Sequence, residues 1–567
     1  MATVGDFELA SETLGSLPIV NHFLSRMGVD GRLDTHLAHS DARLRLAPAT
    51  VIGVVVRNIV VAHRPLYAIG EWAQHHHEGL LGLAPGESAA LNDDRVGRAL
   101  DRLFDADRAS FITETVLSVV RGFSVKLSQL HNDSTTVTLT GSYADADGRA
   151  RGGKATPAVR HGHNKDFRPD LKQLLFILTV SADGAVPIAY RVADGNTSDD
   201  VTHIPTWDEL VLLAGSPGFM YVADSKLCSK EAMGHIASHH GRFVTVVPHG
   251  RREDTWFKDW AQSHAPEWEE ADRRPGARLG DPDRVWRTFE APVPSTDGYR
   301  VIWVHSSTKA ARDGASRAAR IEAGLAAIDA LATRLSTPKS RLKTKVTAEQ
   351  AAASAVAEAG AQRWVEATVT ETVEEVFRQE RRGRPGSSTR YRRSEKRVFS
   401  VTAAIRADTV AYDAVTDGCF PLITNDRGLT PAEVLATYRY QPNLERRNHI
   451  LKGPQQVAPV YLERAHRIEA LLLCHFLAML AEALIEREIR TSMTAADLSG
   501  IPLYPELRNC PAPSSPRILE IFAGIQRHRL LSAGQVVQVF DPELSPLQRQ
   551  VLGLLHIPAA VYTSTST

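Results

Sequence analysis

Through the first 120 residues, apolar positions recur every three or four places: Ile19 and Phe23, then Val51, Val54, Val55 and Ile59. That spacing predicts helices, with Asp93–Asp94 and Ser110 as helix starts. The period then changes. Leu127–Thr140, rich in Thr, Val and Leu, predicts a strand, and Gln173–Val180 and Ala185–Val192 predict two more. Asp183–Gly184 between the last two is a hairpin signal, because this dipeptide tolerates the positive φ that tight turns demand. There follow a helix from about Ser198 with Ile204, Trp207 and Val211 on one face, a short apolar strand Phe219–Ala223, a helix Ser229–His239 and a strand Arg242–Val247. The predicted order is β-β-β-α-β-α-β.

Residues 250–430 break this rhythm. Trp256, Trp260 and Trp268 lie in a charge-rich stretch, Val301–Val304 predicts a strand, and an Ala-rich helical region runs from about Ser307 to Glu366. A strongly basic segment, Arg378–Arg397, precedes strands at Val398–Thr402 and Phe420–Thr424. It reads equally well as a solvated loop or as a loop that touches DNA. The whole stretch is expected to be an insertion. Beyond Pro431 the pattern is helical again, through Tyr438–Lys452 and a long helix from about Val460 to Arg490. A tail with Pro-rich joints and short helical runs follows, ending in a Thr-Ser repeat expected to fray.

A chain of 567 residues exceeds what one hydrophobic core supports, so several structural units are expected. The composition, 43% hydrophobic and 23% charged, is that of a globular protein. Sixty-six basic and 66 acidic side chains cancel, so any nucleic-acid contact has to come from local clusters. Cys228, Cys419, Cys474 and Cys510 form no Cys-x-x-Cys pair, which argues against a disulfide framework or a zinc knuckle. His75–His77 reads as a polar helix end, since three adjacent side chains point in different directions. The acidic N-terminal stretch lacks the pattern of a signal peptide, and the apolar run Ala470–Leu484 is shorter than a bilayer requires. The expectation is a cytoplasmic chain without a membrane partner.

Three carboxylates stand out by context. Asp133 falls inside the first predicted strand, where an unpaired charge is costly. Asp224 ends the fourth, at the carboxyl edge where open sheets place functional groups. If strands one and four are neighbours, as in a ribonuclease-H-like sheet, the two converge, and paired aspartates suit Mg²⁺ or Mn²⁺ better than zinc. The third is Glu445. At about 100° per residue, Tyr438, Gln441, Glu445 and Lys452 fall within roughly 60° of one helical face, although Pro442 is expected to kink or start a helix there. A lone Asp can equally serve a turn or a cap, and a charged helix face can simply be solvated. Asp194 and Asp199 are acidic rivals to Asp224, but Asp194–Gly195–Asn196 looks more like turn chemistry.

Taken in order, these pieces carry a resemblance: His131–Asn132–Asp133–Ser134–Thr135–Thr136, the run Gly162–Gln173, Asp194–Asp199, Val222–Ala223–Asp224–Ser225, and Tyr438-x2-Gln441-x3-Glu445-x6-Lys452. The sequence resembles DDE transposases of the IS4 group, in particular the IS1634-type branch, from about residue 125 to 455. The group's signature has arginine where this chain has Gln441. The resemblance implies a mixed α/β fold: a ribonuclease-H-like sheet interrupted by a large α+β insertion, with helical N- and C-terminal regions. The corresponding divisions are 1–122 (DNA binding or dimerisation), 123–250 (first part of the core), 251–425 (insertion), 426–495 (completing helices) and 496–567 (helical tail).

It further implies that Asp133, Asp224 and Glu445 are catalytic ligands of two Mg²⁺ (or Mn²⁺) ions, with Lys452 and Tyr438 contacting DNA and Gln441 in the place of the signature's arginine. The expected partners are terminal inverted repeats and target DNA, with a homodimer acting on two ends. The run His161–Lys172, with Lys165 and Arg168, is read either as a DNA contact or as a structural entry to the second strand. Two other readings remain open: a nuclease with the same core that does not join strands, and a DNA-binding protein that no longer catalyses.

Overall fold

The computed structural model describes residues 7–37, 44–276, 278, 280–337, 340–457 and 462–563. The expected fraying of the tail, and the start of the long helix near Val460, lie outside them. In chain order the elements are β1 (Phe7–Thr13), α1 (Leu17–Met27), α2 (Val29–His36), α3 (Pro48–Val61), α4 (Ile69–Gln74), α5 (Asp93–Asp105) and α6 (Arg108–Gly122). Next come β2 (Gln129–Leu139), β3 (Lys172–Ser181), β4 (Pro187–Ala193), α7 (His203–Ala214), β5 (Met220–Ala223), α8 (Lys230–Ser238) and β6 (Arg242–Val246). They continue with α9 (Arg252–Trp260), β7 (Glu269–Arg274), β8 (Arg284–Glu290), β9 (Arg300–Ser306), α10 (Ser307–Ser336), α11 (Lys345–Glu358), β10 (Val365–Gln379), β11 (Tyr391–Ile405), α12 (Ala407–Ala414) and β12 (Cys419–Thr424). The last are α13 (Pro431–Tyr438), α14 (Gln441–Lys452), α15 (Ala465–Ala495), α16 (Ser515–Glu520), β13 (Gln526–Ser532), β14 (Gln535–Phe540) and α17 (Pro546–Leu554).

The chain forms two compact units, one from residues up to Thr245 together with those from Thr437 onward, the other Val246–Ala436. In the first, the strand order is β4-β3-β2-β5-β6. β2 runs antiparallel to β3, and β3 to β4, whereas β2/β5 and β5/β6 are parallel. This is the mixed, ribonuclease-H-like arrangement in which strands one and four lie side by side. Strand β3 (KQLLFILTVS), between β4 and β2, is buried on both faces, as its continuous apolar run requires. The β3–β4 hairpin turns at the expected place, with Gly184 at φ 84°. Arg487 clamps the Asp183 carboxylate at 2.8–3.0 Å and fixes that turn.

Helix α15 fills the centre of this unit and is buried all round from Ala470 to Glu486. By length and composition alone it could cross a bilayer, yet 94% of its most apolar stretch is covered by protein; the bent pair Pro48–Val61 and Leu66–Gln74 passes the same test taken together. Two buried carboxylates of α15 are matched internally. Glu482 accepts from Gln455 at 2.7 Å, and Glu486 accepts the Ser515 backbone N–H at 2.9 Å and pairs with Arg447 at 3.0 Å.

The C-terminal region, expected to be helical, contains the hairpin β13–β14, and β13 pairs antiparallel with β1 at the other end of the chain. The reason is a run of β-branched and polar residues turning at Ala533–Gly534, both at positive φ. The N-terminal helices thus share their unit with a strand, Phe7–Thr13.

The second unit contains an antiparallel sheet, β12-β9-β8-β7, and a separate two-stranded ribbon, β10–β11. The tryptophan-rich stretch supplies one of its apolar clusters: Phe257 stacks on Trp303 at 3.7 Å, surrounded by Trp256, Trp260, Trp268 and Phe289. The helical region expected to reach Glu366 ends earlier, at Glu358, because Val365, Val369, Phe399 and Val401 form the base of the ribbon and pack under α10 and α11. The four cysteines are buried free thiols.

Candidate active site

Strand pairing sets the first half of the site. The parallel β2/β5 ladder matches Leu130 with Tyr221 and His131 with Val222. Continued two residues beyond the ladder, that register directs Asp133 and Asp224 to the same face, and the two carboxylates act on each other electrostatically. Asp224 also caps the short turn after β5, accepting the Lys226 N–H at 3.0 Å. Asp133 keeps 21% of its side chain exposed. Burial, with the negative charges of Asp224 and Asp199 adding to it and Lys165 opposing, pushes its carboxyl up to about 6.

Helix α14 supplies the second half. The helix expected over Tyr438–Lys452 is broken: α13 ends at Tyr438, and α14 begins at Gln441 with Pro442 in its first turn, where a missing N–H costs nothing. On α14 the positions 441, 445, 448 and 452 share one face. Gln441 is 5% exposed; its Oε1 accepts from His131 Nδ1 at 2.7 Å and its Nε2 donates to the Asn132 carbonyl at 3.1 Å. One turn beyond Glu445, Asn448 Nδ2 donates to Asp133 Oδ2 at 3.1 Å. Between these two anchors Glu445 is on the face turned toward Asp133, and it is exposed. Arg447, 2% exposed, pins the opposite side of α14 by donating to the carbonyls of Ala185 and Gly184 and pairing with Glu486.

Tyr438 senses all three carboxylates. Burial, together with the negative charges of Asp224, Glu445 and Asp133, pushes its phenol up to about 12. Among the described residues, however, no three His, Cys, Asp or Glu side chains close into a ready-made metal cage. All three acids act on Tyr438 through their charge, and Glu445 faces solvent.

Lys165 enters from the loop before β3. Its ammonium donates to Ser134 O at 2.6 Å and Ser134 Oγ at 2.7 Å, and lies 3.1 Å from Asp199 and 3.6 Å from Asp133. A tethered cation thus sits in an all-oxygen nest beside Asp133. The loop is held tightly to the Asp194 turn: a Cβ on Gly162 would lie 2.1 Å from the Gly195 carbonyl. Asp194 accepts the Ala158 N–H at 2.8 Å and serves that turn, whereas Asp199, its rival, lies at the site and accepts from Ser134 Oγ at 2.6 Å. Arg168 is exposed and paired with Asp170, and Lys452 pairs with Asp166 at 2.5 Å.

Asn448, Asp166, Ser134 and the His131–Gln441 contact were not singled out in the sequence. The spacing of Asn448, three residues after Glu445 on the helix face already considered, is the one signal that points to it. A cavity of about 650 Å³ in the same unit, lined by residues that include His63, Arg64, Gln455 and His475, contains none of the three carboxylates.

The donor set suits a hard divalent cation. It is all oxygen, Asp133 is held between other acids, and Asn448 Oδ1 is a buried acceptor without a hydrogen-bond partner. What a bound ion would still require is that Glu445 turn inward and Lys165 give way.

Residues 9–117 match a family model described as a domain of unknown function (DUF4277). No curated protein matches the chain. Among solved structures, the chain is similar to the cryo-EM structure of the piggyBac transposase synaptic complex with hairpin DNA, at 11% identity and a TM-score of 0.24, over 52% of this chain. The similarity spans 59% of that chain's length, and likeness this slight does not bear on the reaction.

Proposed function

We propose that this chain is a DNA transposase of the DDE type, similar to the IS4 group and its IS1634-type branch, that cleaves at element ends and joins the freed 3′-hydroxyl to target DNA. The observation that carries the reading is the hydrogen bond from Asn448 to Asp133, which ties the helix bearing Glu445 to the strand whose neighbour ends in Asp224. Three acids that stand far apart in the sequence, in the order of the transposase signature, thereby share one locality.

In this reading Asp133, Asp224 and Glu445 hold two Mg²⁺ or Mn²⁺ ions. Bound there, the ions supply activation of the attacking oxygen and stabilisation of the leaving one. The protein's own groups position the DNA. Lys452 and Lys165, now paired with acids, exchange those partners for backbone phosphates, Arg168 adds an exposed guanidinium, and Tyr438 offers its hydroxyl or ring near the scissile bond. Gln441 acts through the strand: its amide is spent on His131 and Asn132, so it orients α14 instead of meeting phosphate. The partners are inverted-repeat and target DNA, engaged by a homodimer in the cytoplasm.

The test is a strand-transfer assay with paired end fragments. Joined product that disappears in D133N, D224N and E445Q supports the reading. Nicking without joining would favour a plain nuclease, and wild-type DNA binding with neither product would favour a non-catalytic DNA-binding protein.

A further inference from the structure

The basic segment of the second unit is only in part a loop: its two ends belong to strands β10 and β11, and residues 380–390 join them at the tip. Strands β10 and β11 pair in unbroken register from Val365↔Ile405 to Gln379↔Tyr391, a ribbon about 50 Å long. Only its base is packed, through Val365, Val369, Phe399 and Val401. From Tyr391 to Arg397 every residue is exposed, and on the facing stretch of β10 only Val376 and Gln379 are half-buried.

Its charge is segregated. Between Arg378 and Arg393 there are seven arginines and one glutamate. Arg393 and Arg397 are matched across the ribbon by Glu375 and Glu371. Among the described residues, Arg378, Arg381, Arg382, Arg384, Arg390 and Arg392 have no carboxylate partner. Arg378 and Arg392 stand directly opposite each other in the register. Like charges so placed weaken a ribbon, so packing within the unit does not account for them. A polyanion laid along this face would offset that cost.

We infer that the outer β10–β11 ribbon is a duplex-DNA-binding arm, with its tip and the Arg378/Arg392 face contacting backbone phosphates. The shape agrees with the charge. A two-stranded ribbon fits a major groove about 12 Å wide, and the bare outer strands extend about 25 Å. The reading deepens the proposed function by assigning the second unit a grip on DNA that is separate from the carboxylate site.

The experiment measures anisotropy of a labelled 30-base-pair duplex with the full chain in EDTA across a salt series, comparing wild type with R381A/R382A/R384A, R378A/R392A and R381K/R382K/R384K. Each phosphate contact contributes about 0.9 to the slope of log affinity against log salt. The triple alanine variant is therefore expected to bind at least tenfold more weakly, with a slope shallower by about 2–3, while the lysine variant keeps the slope and melting temperatures stay level. Unchanged affinity and slope would overturn the inference. So would an unchanged slope accompanied by loss of the dimer in sedimentation, which would make the ribbon an arm between two copies of this chain. Because no metal is present, failure of strand transfer leaves this result intact, and failure here leaves the carboxylate assignment intact.

Discussion

Asn448 on α14 donates its amide N–H to Asp133 on β2 at 3.1 Å, a contact between residues 315 positions apart. It fixes the angle at which the Glu445 helix meets the strand, and it leaves Asn448 Oδ1 buried without a partner beside the acids. Groups that orient metal ligands typically matter by about 10–100-fold in affinity or activity. N448A is expected to reduce strand transfer by that order while the protein melts within a few degrees of wild type. N448D adds a negative charge beside Asp133 and should move the acidic limb of the pH–rate profile to higher pH. A pH-independent loss in both variants would make Asn448 a packing residue only.

Lys165 occupies the oxygen nest formed by Ser134, Asp199 and Asp133. If it holds the place of a divalent cation, K165A should melt lower than wild type without metal and bind Mn²⁺ about three- to tenfold more tightly, because a competing charge is gone. Thermal-shift titration with MnCl₂ reads both effects. Weaker Mn²⁺ binding in K165A would mean that the lysine organises the site instead of competing for it.

Arg447 and Glu486 form an ion pair at 3.0 Å with 2% and 1% of their side chains exposed. Removing Arg447 takes the nearest cation from the buried Glu486 carboxylate, which keeps Arg490 at 3.4 Å and the Ser515 N–H, so the loss is on the order of 3 kcal/mol, the low end for a broken buried pair. R447A should therefore unfold at markedly lower denaturant, and it should loosen α14 from the hairpin carbonyls that Arg447 also holds. A midpoint shift equivalent to less than about 1 kcal/mol would contradict this.

Burial pushes the Glu482 carboxyl up to about 8, against the pull of its hydrogen bond from Gln455, and Glu486 adds to the rise. The folded chain keeps this proton where the unfolded chain has released it. The stabilising contribution is accordingly full below the ordinary carboxyl range and is lost as pH rises from about 4.5 toward 8. E482Q cannot ionise and should flatten that decline, so that its advantage over wild type grows between pH 6 and 8. Parallel stability–pH curves for the two proteins would refute the assignment.

The core strands were legible in the sequence because they are long apolar or β-branched runs with a hairpin signal between them; their order was not, since the β4-α7-β5 step joins strands that are not neighbours and the adjacency of strands one and four entered only as a condition. Asp133 stood out since a charge within a strand pattern needs a reason. The break at Pro442 was legible as well. The pairing of Phe7–Thr13 with Gln526–Ser532 was not, because short polar strands advertise no partner and a contact between the two ends of the chain leaves no local trace. Nor was the ribbon: the basic segment reads equally as a solvated loop or a loop that touches DNA, and only the register puts Glu371 and Glu375 within reach of Arg397 and Arg393. The replacement of the signature's arginine by Gln441 acquired a meaning only once His131 was seen buried opposite it, with burial holding its ring down to about 4.

The central claim is that Asp133, Asp224 and Glu445 bind divalent cations together. Anomalous scattering at the manganese edge from crystals of the chain grown with MnCl₂ and an end-sequence duplex tests it most directly. The account predicts two anomalous peaks bridged by the two aspartates, with Glu445 swung inward as a ligand and Lys165 moved out of its nest. Manganese bound by Asp133 and Asp199 with Glu445 still facing solvent, or no manganese at Asp133, would contradict it.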